Sequence, residues 1–72
     1  MEREVCRIIE KDGSVSMNID TDINTALNAL MLFVRTLYVS GIRDVGMDKE
    51  AFEEVLIKAT KEALAEGNEE LA

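Results

Sequence analysis

The chain has 72 residues, fifteen of them acidic and eight basic, for a net charge of −7, and it contains no histidine, no proline and a single cysteine. One small domain of marginal stability is the most such a length supports, and the negative field repels phosphate backbones and anionic lipid, so no direct nucleic-acid partner is expected. Cys6 alone cannot build a disulfide framework, and without histidine neither a zinc site of the finger or ribbon type nor a thiol nucleophile with an imidazole base is available.

The first residues are charged, with no apolar core of a signal peptide, which leads to the expectation of a cytoplasmic protein. Residues 4–20 alternate in the manner of strands. Cys6 and Ile8 fall on one face, Val15, Met17 and Ile19 on the corresponding face after the turn, and Ser14, Ser16 and Asn18 on the other. Asp12-Gly13 is the dipeptide of a two-residue type I′ hairpin turn, in which both central residues need positive φ. That turn sets Ile8 opposite Met17 and Cys6 opposite Ile19, so turn chemistry and apolar pattern agree. Val5 and Ile9 share the mostly polar face with Arg7 and Lys11. They are ordinary exposed residues or part of a contact with another chain.

Asp20, Thr21 and Asp22 are each suited to cap a first helix over residues 21–40, with Gly41 as its left-handed stop. Asp20-x-Asp22-x-Asn24 also matches the first three ligand positions of a calcium-binding loop. It fails further on, because Thr25 stands where glycine is needed and Met31 where a bidentate glutamate is needed. Capping is therefore the expected role of these acids.

Between Ala26 and Val39 eleven of fourteen residues are apolar. Ile23, Leu27, Leu30, Val34 and Leu37, spaced four and three apart and flanked by Ala26, Phe33 and Tyr38, form the expected core face. Thr25, Ala29, Leu32, Thr36 and Val39 make a second seam of smaller side chains that suits close approach of another helix. Asn24, Asn28 and Arg35 lie on a polar strip between the two. The run is too short for a bilayer and is interrupted by Asn28, Arg35 and Thr36, so no membrane is expected.

After a reversal over residues 42–46, Asp48 caps a second helix over residues 48–66. Met47 and Phe52 take the staple positions, Gly67 is the expected stop, and residues 68–72 are expected to fray. Phe52, Leu56, Ala59 and Ala63, with Val55, form its expected buried seam. Glu54 and Lys58 are spaced as a helical ion pair. Ile57 and Leu64, one heptad apart, lie on a different face, with Thr60 between them.

The expected architecture is α+β: an N-terminal β-hairpin followed by an antiparallel two-helix unit, β-β-α-α, one domain over residues 1–72, with the first helix between the ribbon and the second helix. Two faces too apolar for so short a chain to cover lead to a homodimer or higher homo-oligomer through Thr25, Ala29, Leu32, Thr36 and Val39, with Ile57 and Leu64 as the other patch. The competing arrangement is a monomer whose second helix covers the whole second seam.

Acids concentrate in the last third of the chain, and Glu50, Glu53 and Glu54 with Ile57 and Leu64 form either an ordinary solvated helix face or a surface for a partner protein with a basic groove. Asn24, Asn28 and Arg35 either extend into solvent, or set an oligomer's register, with Arg35 paired to an acid across the interface, or hold an anionic metabolite or nucleotide at a subunit interface. Exposed glutamates lack the burial that catalysis would need, and no enzyme, metal or cofactor is expected. The functional expectation is a small acidic interaction protein, an adaptor or inhibitor. A short acidic chain also suits an accessory protein of a phage or mobile element.

Overall fold

A computed structural model describes all 72 residues. The element order is β1 (Cys6–Lys11), β2 (Ser14–Ile19), α1 (Ile23–Ser40), a π-helical turn (Gly41–Val45) and α2 (Lys49–Leu71), the β-β-α-α arrangement expected. The chain falls into two units, Met1–Phe33 and Val34–Ala72, and α1 runs through the boundary.

In the first unit, β1 and β2 pair antiparallel with Cys6 opposite Ile19 and Ile8 opposite Met17, the register set by the turn. Asp12 at φ 51° and Gly13 at φ 82° both occupy the left-handed region that a type I′ turn requires. The ladder continues one step beyond the strands, where the Asp20 amide donates to the Val5 carbonyl at 2.9 Å.

Of the three cap candidates, Asp22 starts α1. Its carboxylate accepts from the Thr25 amide at 3.2 Å and from the Thr25 hydroxyl at 2.7 Å, satisfying a backbone donor that the first helical turn leaves free. Thr21 adds a longer bond to the same carboxylate at 3.3 Å, and Arg3 Nη2 donates to the Thr21 hydroxyl at 2.9 Å. The residues that precede the hairpin are thereby tied to the helix start.

In the second unit, the stop expected at Gly41 lies five residues later. Gly41 has no positive φ; it opens the π-helical turn, and its carbonyl accepts from the Gly46 and Met47 amides. The left-handed residue is Gly46, at φ 80°. Gly41 serves a different purpose: the Phe52 ring lies against it, so closely that a Cβ there would overlap the ring. Phe52 also stacks on Tyr38, with centroids 6.1 Å apart and planes inclined by 13°. One glycine provides room and the other provides a turn.

Asp48 caps α2 as expected, with extended backbone and its side chain accepting from the Ala51 amide at 3.0 Å. The helix does not end at Gly67 but continues to Leu71, so residues 68–71, expected to fray, are helical. Nothing lies near Gly67, and a glycine inside a helix costs only about 1 kcal/mol, which neighbouring helix formers offset.

Packing is where expectation and structure part. Phe52, at 7% exposure, is the one buried apolar side chain of the whole chain. No residue of α1 is buried, so the large-residue seam expected as a core face is exposed. In α2, Leu56 is half-buried, while Val55, Ala59 and Ala63 are exposed. Periodicity put these residues on one face correctly; too little chain lies over that face to bury it.

Candidate interaction surface

Helix α1 presents its large seam exposed at all five positions, most at Ile23, at 74%. Val34 is the least exposed of the five, at 37%. On the small-residue seam, Leu32, Thr36 and Val39 are exposed and Ala29 is half-buried, while Thr25 spends its amide and hydroxyl on the Asp22 cap. Neither seam is a closed core. The apolar side of the hairpin is similarly open, with Ile8, Met17 and Ile19 about half exposed and Cys6, a free thiol, half-buried opposite Ile19.

The polar strip is equally solvent-facing. Asn24, Asn28 and Arg35 are exposed, and the chain's ion pair is elsewhere, between Arg7 and Glu4 at 2.8 Å. That contact is two-pronged, since Arg7 Nη2 also donates to Glu4 Oε2 at 3.2 Å, and it holds the Arg7 guanidinium above its already high ordinary pKa. Two shallow, open hollows lie beside these residues, one lined by Glu2, Arg3 and Glu4 and the other by Glu4, Val5, Cys6, Arg7, Asn18 and Asp20. Asn24, Asn28 and Arg35 line neither.

Asp22 titrates below the usual carboxylate range because the Thr25 hydroxyl, then the Thr25 amide, bond its charged form. Its oxygens are thus engaged by the helix start, and no group of three or more acidic or thiol side chains is placed to hold a metal ion. Tyr38 shifts the other way, its phenol raised first by desolvation and then by the nearby charge of Glu53.

On α2, Glu50, Glu53, Glu54, Ile57 and Leu64 are all exposed. Because the helix passes Gly67, Leu71 joins Ile57 and Leu64 at a third heptad position, which the expected stop at residue 66 had hidden. Glu54 and Lys58, spaced as an ion pair, do not form one; two flexible side chains in water gain little from pairing.

The expected exclusion of a membrane on length does not carry over to the helix observed. Together, α1 and the π-helical turn span Ile23–Val45, 23 residues long and apolar enough by length and composition to cross a bilayer. Arg35 stands next to the middle of that span, where a charged side chain costs at least about 3 kcal/mol in lipid. With Asn24 and Asn28 it gives one side of the helix a polar edge. No family model, curated protein or solved structure matches this chain.

Proposed function

We propose that this protein acts by association, without chemistry of its own: a small acidic adaptor or inhibitor that assembles with itself and presents an acidic helix to a basic surface on another protein. The observation that carries this reading is the bare α1, an apolar helix with no buried residue in a chain whose one buried apolar side chain is Phe52. Apolar area on this scale drives association because its removal from water is favourable, at roughly 25 cal/mol per Å². The acidic end of the chain supports the second half of the reading. Exposed carboxylates at Glu50, Glu53 and Glu54 steer a cationic partner and repel nucleic acid and anionic lipid.

The test is capture of a partner polypeptide by the intact protein at low and high salt, alongside the Glu53→Lys, Glu54→Lys double variant. One partner retained at low salt, released by salt and lost in the charge-reversed variant is the expected result. Retention indifferent to both salt and charge reversal overturns the acidic-surface reading.

A further inference from the structure

We infer that the outer edge of β2 is where a second copy of this chain joins, strand against antiparallel strand, with Met17 facing its own counterpart across a two-fold axis. This rests on the reading that the protein assembles with itself and names the surface, which lies wholly within the first unit and needs neither seam of α1.

Backbone geometry identifies the free groups. The Asp20 amide bonds the Val5 carbonyl, so Asp20 faces β1, and so does every second residue back along β2, Asn18, Ser16 and Ser14. The N–H and C=O of Val15, Met17 and Ile19 therefore point away from β1, and the sheet has no third strand to receive them. A two-stranded ribbon is marginal by itself, and further strands sharing an apolar face are what stabilise one.

Two features make the added strand a second β2. The first is register. Centred on Met17, antiparallel self-pairing sets Val15 against Ile19 of the other copy and Ser16 against Asn18, so apolar meets apolar on one face and uncharged polar meets polar on the other. No other register bonds all three outward residues to one another. The second is charge. Strand β2 carries none in a chain of net charge −7, so two copies meet there with least repulsion, whereas β1 carries Arg7, Glu10 and Lys11, charges of the kind that blunt an edge. Self-pairing of β1 about Ile8 would also set the Glu10 carboxylate against Cys6. Joining through β2 instead gives a four-stranded sheet with Cys6, Ile8, Val15, Met17 and Ile19 of both copies on one face.

Proline at position 17 removes an outward N–H and no bond to β1. The Met17→Pro variant should keep its circular dichroism, while self-association, followed by sedimentation across a dilution series, weakens at least about 10-fold through loss of the paired bonds on the axis. In a Cys6→Ser background, Met17→Cys should form a covalent dimer under mild oxidation, since facing Cα atoms of a bonded pair lie about 5.5 Å apart. Val15→Cys should not, because the two copies of that position stand four residues apart along the strands, about 13 Å. A single-subunit mass of the unmodified chain at millimolar concentration overturns the inference, whatever other polypeptide binds the edge, as does a cross-link at Val15→Cys in place of Met17→Cys. Self-association untouched by Met17→Pro, without the Met17→Cys cross-link, overturns it too and leaves the self-assembly of the proposed function standing. Added salt should tighten the pairing of like-charged copies while it loosens capture of a basic partner, so the acidic surface fails or holds separately.

Discussion

Gly41, Gly46 and Gly67 show how one residue type answers three physical demands. Gly46 supplies a positive φ, Gly41 admits the Phe52 ring, and Gly67 does neither. Opposite outcomes are expected on substitution. Gly41→Ala should destabilise the second unit by about 1–3 kcal/mol, the usual range for forcing extra atoms into a packed contact. Gly67→Ala should stabilise it by roughly 1 kcal/mol, since open space surrounds a position where alanine is the better helix former. Urea unfolding of the two variants beside the parent checks both signs, and equal, stabilising effects would deny Gly41 its packing role. The Asp12-Gly13 turn was legible in the sequence because its demand is local. Gly41 reads as a stop in the sequence because the ring that needs its space comes eleven positions later, and nothing in the flanking residues distinguishes room from handedness.

Asp22 also yields a pH dependence with a definite sign. A carboxyl whose pKa is lower folded than unfolded contributes stability above the ordinary carboxylate range and loses it as the pH falls through the folded value. Helicity followed by circular dichroism during acid titration should accordingly fall less steeply in Asp22→Asn, which has no charge to lose at that site. An identical acid limb in both proteins would show that the Thr25 bonds do not hold the helix start.

Helix boundaries were readable wherever a side chain makes them. Asp48 bonds the Ala51 amide and begins α2 where expected, and Asp48→Ala should cost about 1 kcal/mol in chemical denaturation, with the loss in the helical signal. Boundaries set by residues further along the chain were less readable. The segment after Gly67 is polar and acidic, features shared by frayed tails and by solvated helices, and here it continues as helix to Leu71. Both apolar seams of α1 were correctly grouped by the 3.6-residue period, yet the period carries no information on what lies over a face. For this reason the candidate surface was legible in its residues and not in its assignment: the seam expected to be core is bare, and Thr25, expected at a contact, works in the cap.

For the molecule as a whole, one buried aromatic cannot outweigh the conformational entropy of ordering 72 residues, which is of order 1–2 kcal/mol for each backbone unit fixed. Under the proposed function, assembly supplies the rest. The thermal midpoint should rise with protein concentration, because a partner that binds only the folded chain stabilises it by mass action. Scanning calorimetry over a hundredfold concentration range reads this directly, and a midpoint that stays fixed throughout means the isolated chain is stable by itself.

If the protein assembles with itself as proposed, its own dosage sets how long the apolar side of α1 stays in water. Single chains would then be the ones that proteases and chaperones meet, and output would climb more steeply than expression once copies become plentiful.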